Sequence, residues 1–148
     1  MSVRVNRRIE TVTAQKFSYL RVNAVMIKSI LFVFLGGGLG SALRYGLGTW
    51  LNQNNELAIG TFSVNILGSL IIGLLMGWFF KGSNLDEGMR LFLAVGFCGG
   101  FTTFSAFALE QVNMIKNGAL SHALIYATSS IVLGVLAVFL GLWLSRQF

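Results

Sequence analysis

The chain has 148 residues, of which 55% are hydrophobic and only 11% are charged, where a soluble domain carries roughly 25% charged residues. So many apolar side chains cannot be hidden inside one small globule, because small domains leave much of their surface in water. Composition therefore excludes an ordinary soluble domain and calls for lipid as the solvent. The net charge is +6, but Arg4, Arg7, Arg8, Lys16 and Arg21 all precede Met26, which leaves the apolar body without a basic face for nucleic acid. A single cysteine, Cys98, excludes an intramolecular disulfide framework. One Cys and one His also argue against a tetrahedral zinc site within one chain.

Residues 1–25 are polar and basic, with no clear periodicity and no short apolar core leading to a small-residue cleavage site. They read as a disordered extension, and residues 26–148 as the membrane domain. Met26 has the look of a start.

Four apolar stretches follow, Ile27–Leu51, Leu57–Phe80, Leu85–Val112 and Ala119–Leu144. Each reaches the ~20 residues that a helix needs to cross a ~30 Å hydrocarbon core. Backbone groups in lipid must be satisfied internally, so helices are expected. The connections at residues 52–56, 81–84 and 113–118 are short and polar, so neighbouring spans run antiparallel and both termini share a side. Without the extension, that side holds Lys28, Lys81, Arg90 and Arg146, against Arg44 and Lys116 on the other. This bias is weak enough to allow insertion in both orientations. The five positive residues of the extension favour a cytoplasmic terminal side.

In the first span, Gly36 and Gly40 have the small-xxx-small spacing that lets helix backbones approach closely. Arg44, near the end of that span, either snorkels to the interface or faces a vestibule where it attracts anions. In the second span, Asn65 is an amide at membrane depth. An unpaired amide there is costly, so it faces protein or water, as an interhelical bond or as an N–H donor on an ion path. Ser69 shares its helix face.

The third span contains Gly96-Phe97-Cys98-Gly99-Gly100-Phe101-Thr102-Thr103-Phe104-Ser105-Ala106-Phe107. The glycine pair weakens the helix and the hydroxyls compete for backbone bonds, which predicts a break across Gly99–Thr103. Unwound backbone at this depth must be buried in protein or line a cavity. Phe104 and Phe107 are three apart on one face. They are either packing or a pair whose electropositive ring edges attract an anion. Glu110 follows near the helix end, where an interfacial carboxylate is the default. In the fourth span, Tyr126 and Ser130 share a face and offer hydroxyls without fixed charge. With no deep Asp, Glu or Lys there is no proton relay of the kind a pump needs. There is also no Ser-His-Asp set, so an enzyme is not expected.

Three segments in order resemble the Fluc/CrcB fluoride channels: Gly40-Ser41-Ala42-Leu43-Arg44-Tyr45, Gly60-Thr61-Phe62-Ser63-Val64-Asn65 with Gly68-Ser69, and Gly96 to Phe107. The resemblance covers about residues 27–145. It implies an all-α integral membrane protein of four transmembrane helices with a break in the third. It implies an antiparallel, dual-topology homodimer in a bacterial-type inner membrane, exporting fluoride passively. It also implies a fluoride pathway of Asn65, Ser69, Phe104, Ser105, Phe107, Tyr126 and Ser130. Arg44 and Glu110 would stand in the vestibules. A structural Na⁺ at the dimer interface would be held by the backbone carbonyls of Gly99 and Thr102. Ala106 and Gly134 stand where the family often has hydroxyl side chains. Two other readings, a small multidrug exporter and a non-transporting membrane assembly protein, share the four-span size. The exporter relies on a Glu in its first span, which Ile27–Leu51 lacks.

Overall fold

The computed structural model describes residues 2–52, 58–82 and 85–147, with side chains described from residue 22 onward. Residues 53–57 and 83–84, which include most of the first two expected connections, lie outside the described residues. The chain divides into two compact units, Met1–Leu31 and Phe32–Phe148. Helix α1 is Ser2–Asn52. The stretch read as a disordered extension is thus helical; it has neither Gly nor Pro before Gly36 to interrupt it.

The remaining elements are α2 (Ile59–Phe80), α3 (Glu87–Arg90), a π-helical stretch (Leu91–Cys98), α4 (Gly99–Phe101), α5 (Phe104–Lys116) and α6 (Leu120–Ser145). No strand occurs among the described residues. Among the described residues, four segments are long and apolar enough to cross a membrane: Val22–Asn52, Ile59–Phe80, Glu87–Lys116 and Leu120–Ser145. The third begins at Glu87 rather than Leu85 because Asp86 caps it, its carboxylate accepting from the Met89 amide at 3.0 Å. It runs on to Lys116 and turns at Gly118, whose φ of +75° suits glycine.

Glycines set the helix packing. A Cβ on Gly36 would strike the Phe92 carbonyl and lie 2.9 Å from Phe97 N, and one on Gly40 would lie 2.8 Å from Phe101 N. A Cβ on Gly73 would strike the Val138 carbonyl, and one on Gly141 would lie 2.7 Å from Leu74 N. The first pair seats α1 against the third span and the second seats α2 against α6, in both cases with backbone against backbone. Few side chains are fully enclosed; Val64 and Ala123 are among them. Many large apolar residues stand exposed, such as Phe34, Phe80 and Phe139. This inverted distribution fits a chain surrounded by lipid.

Candidate functional site

The third span is interrupted at two residues. Thr102 (φ −90°, ψ 156°) and Thr103 (φ −148°, ψ 121°) are extended, between the end of α4 and the start of α5. Gly99 keeps helical angles (φ −64°, ψ −36°), and Gly100 lies within α4. The threonine hydroxyls help to close both flanks. Thr102 Oγ1 donates to the Cys98 carbonyl at 2.9 Å, and Thr103 Oγ1 accepts from the Ala106 amide at 3.3 Å as the cap of α5.

Asn65 supplies what the missing turn would have supplied. The Thr103 amide donates to Asn65 Oδ1 at 2.8 Å, and Asn65 Nδ2 donates to the Thr103 carbonyl at 3.0 Å. One side-chain amide from α2 thereby bonds both backbone groups of an extended residue and gives its amide the partner that the helix does not. The second Nδ2–H of Asn65 has no partner among the described residues.

Beside this junction lies a cavity of about 450 Å³. Asn65, Ser69, Phe104, Phe107 and Ser130, all expected on an ion path, line it together with Thr103. Gly99 and Thr102, expected to hold a cation, line it too. None of its lining residues carries a charge. The two serines differ. Ser69 donates to the Asn65 carbonyl at 2.7 Å. Ser130 Oγ is buried with no partner among the described residues, a costly state that calls for an explanation. Phe104 is 78% exposed, so a single chain leaves this wall of the cavity open.

The other predicted residues sit around the cavity. Ser105 is exposed, its hydroxyl 3.2 Å from that of Thr103. The Phe107 ring packs against Phe104 at 5.8 Å (interplanar 42°) and against Tyr126 at 5.2 Å (57°). These are tilted arrangements, which present ring edges rather than faces. Glu110 is not a free interfacial carboxylate. Its Oε1 accepts from Thr61 at 2.6 Å and its Oε2 from the Tyr126 hydroxyl at 2.8 Å, joining α2, α5 and α6.

Arg44 borders a second cavity, of about 480 Å³, with Thr49, Thr61, Thr103 and Ala106 on its walls. Its Nε donates to the Gly100 carbonyl at 3.0 Å. Thr103 lines both cavities. The sequence places it at the end of the expected break but not on the ion path, although a Thr directly before a helical run is a capping signal. Thr61 and Phe62 were also passed over; Phe62 packs on Tyr126 at 6.2 Å. At Gly134 a Cβ would be 3.6 Å from Ser69 Oγ, so the site has room for a larger residue.

Four membrane-length helices, one interrupted beside an uncharged chamber of amide, hydroxyl and phenyl groups, define a multi-pass membrane protein with an internal polar site. The family described as "CrcB-like protein, Camphor Resistance (CrcB)" matches residues 31–142, and the chain belongs to that family. A Hyphomonas neptunium protein named "Fluoride-specific ion channel FluC" is 46% identical over 124 residues, covering 82% of this chain and 98% of its own. Proteins of the same name from Serratia proteamaculans and Gloeothece citriformis are 41% and 45% identical. They cover 82% and 80% of this chain, and 100% and 97% of their own lengths.

Proposed function

We propose that this chain is a fluoride-selective channel that lets fluoride leave the cell passively, and not an enzyme. The observation that carries the reading is its similarity, above 40% identity, to proteins named as fluoride-specific channels across nearly their whole length. The chemistry of the chamber agrees. Fluoride is small, hard and strongly hydrated, so its water must be replaced by donors. The Ser130 hydroxyl and the second Asn65 N–H are donors without partners among the described residues, and the tilted Phe104 and Phe107 rings add electropositive edges. No fixed positive charge in the lining traps the ion.

The finer reading has this chain working as an antiparallel homodimer in a bacterial inner membrane, inserted in both orientations. The open wall at Phe104 supports a second copy. A structural Na⁺ between the copies would be held by the Gly99 and Thr102 carbonyls. In an unbroken helix Gly99 would receive the Thr103 amide, which here goes to Asn65. The diversion frees a hard oxygen of the kind a cation prefers.

The test is fluoride efflux from liposomes containing the purified chain, read with a fluoride electrode against chloride efflux from the same preparation. Fluoride should leave and chloride should be retained. Comparable rates for both ions would refute selectivity, and no fluoride efflux would refute the channel.

A further inference from the structure

A carbonyl just before a helix interruption loses its helical donor. For Gly100 that donor would be the Phe104 amide, which stands beyond the extended Thr102–Thr103 pair. The Gly100 carbonyl instead accepts from Arg44 Nε at 3.0 Å and from Ser41 Oγ at 3.3 Å. Both donors come from α1, three residues apart and so on one face. They reach the carbonyl because the backbones touch: a Cβ on Gly100 would strike the Gly37 carbonyl. Arg44 makes no ion pair among the described residues, so the Gly100 carbonyl is its principal attachment.

We propose that Arg44 is a positioning residue for ion conduction. With Ser41 it holds the Gly100 carbonyl toward α1 and so sets where the Thr102–Thr103 pair stands, instead of serving as a free charge that concentrates anions. The proposal rests on the reading of the chain as a fluoride channel. The interrupted segment is then gripped from two helices. Arg44 of α1 holds the peptide before the pair, and Asn65 of α2 holds the pair itself. The distinction has a chemical handle. A free charge acts through a Coulomb field that Lys reproduces and salt screens. An Nε–H fixed in a planar guanidinium has no counterpart in Lys.

The experiment compares the unmodified chain with Arg44→Lys and Ser41→Ala in liposomes. Fluoride efflux is measured over rising fluoride at low and high ionic strength, and amide hydrogen exchange across Thr102–Phe104 is measured on the same preparations. Arg44→Lys should lower the maximal rate about tenfold, the factor carried by one lost charge-assisted hydrogen bond. The loss should persist at saturating fluoride and be insensitive to salt, while exchange at Thr102–Phe104 quickens. Ser41→Ala should shift both readouts in the same direction by less. An unmodified rate in Arg44→Lys, or a loss that vanishes at high fluoride, would overturn the proposal. If Arg44→Lys does not fold, Ser41→Ala decides: unchanged exchange and rate there overturn the proposal. An unmodified chain that passes no fluoride defeats the channel reading itself, and the exchange data then judge the Arg44 grip alone.

Discussion

Asn65 and Thr103 bond to each other as two facing residues of a β-ladder would, one through its side chain and the other through its backbone, at 2.8 and 3.0 Å. The arrangement lets a membrane helix stop and restart without stranding the Thr103 peptide groups in a medium that offers no water. It also joins two roles in one residue, since the same amide holds the interruption and lends its remaining N–H to the cavity.

Replacing Asn65 tests that double role. Asn65→Ala leaves the Thr103 amide without a partner, at a cost of about 1–3 kcal/mol, and takes one donor from the Thr103 carbonyl, which as the cap of α5 also accepts the first helical amide. Asn65→Asp keeps the acceptor for the Thr103 amide but loses both N–H donors and, when ionised, repels an anion. Folded Asn65→Asp protein should give at least about a tenfold loss of fluoride efflux, with better recovery on size-exclusion chromatography than Asn65→Ala. Equal efflux from Asn65→Asp and the unmodified chain would place the ion elsewhere.

Phe104→Ile and Phe107→Ile keep apolar bulk but remove the ring quadrupole. A packing pair should lose under about 1.5 kcal/mol in such a swap and transport normally. Edges that face fluoride should lose most conduction while the protein stays folded. Phe107 should be the more damaging site for stability, because it alone of the two also packs on Tyr126. Met at each position, which refills space flexibly, is the control. Both Ile variants transporting at the unmodified rate would sink the edge reading.

Glu110 accepts two hydroxyls from two helices, so Glu110→Gln should be felt through its partners. Gln retains only one acceptor oxygen, so at the other hydroxyl a charge-assisted bond gives way to a neutral one in which that hydroxyl must turn and accept from Nε2. Thermal unfolding should show a cost of about 1–3 kcal/mol. Thr61→Val and Tyr126→Phe should each lose less in a Glu110→Gln background than alone, which a double-mutant cycle reads directly. Strict additivity would mean that the three groups do not act together.

Gly134→Ser is expected to help. The added Cβ meets Ser69 Oγ at an ordinary 3.6 Å, and replacing Gly inside a helix gains up to about 1 kcal/mol. The new hydroxyl would stand beside Ser69 at the cavity edge, and fluoride efflux should rise. Efflux at or below the unmodified rate would show that the fourth-span hydroxyls do not limit conduction.

Gly36→Ala and Gly40→Ala should resist folding, since the new methyls run into the Phe92 and Phe97 carbonyls. The expected loss is about 1–3 kcal/mol or more, as for overpacking generally. Gly38→Ala and Gly46→Ala meet nothing within 4 Å and should yield normal protein. Equal recovery of all four variants would contradict the close seam.

The four spans were legible because long apolar runs separated by polar residues leave few alternatives. The interruption was legible as a neighbourhood, Gly99–Thr103, and the extended pair falls at its C-terminal end. The glycines stay helical and are used for contact, Gly100 against Gly37. The extended residues are the two threonines, whose hydroxyls bond the flanking turns. Asn65 was recognised as a buried amide in need of a partner, but its partner lies 38 residues away and no local pattern names it. The Thr61–Glu110–Tyr126 bridge was hidden for the same reason: three unremarkable polar residues become a site only once three helices meet.

The glycine seam between α1 and the third span also bears on how the protein is made. Gly36 and Gly40 fit against residues 92–101, which are translated more than fifty positions later. Between the two events α2 must be inserted, while the bare backbone stripe of α1 has only lipid or another chain to touch. Helices that associate after insertion do so through such stripes, so until the third span is made the stripe is open to other partners. A ribosome stalled after residue 82 would expose a helix still competent to pair. A crosslink from Gly37→Cys should trap foreign partners in that stalled chain and vanish once Gly100 has arrived to cover it.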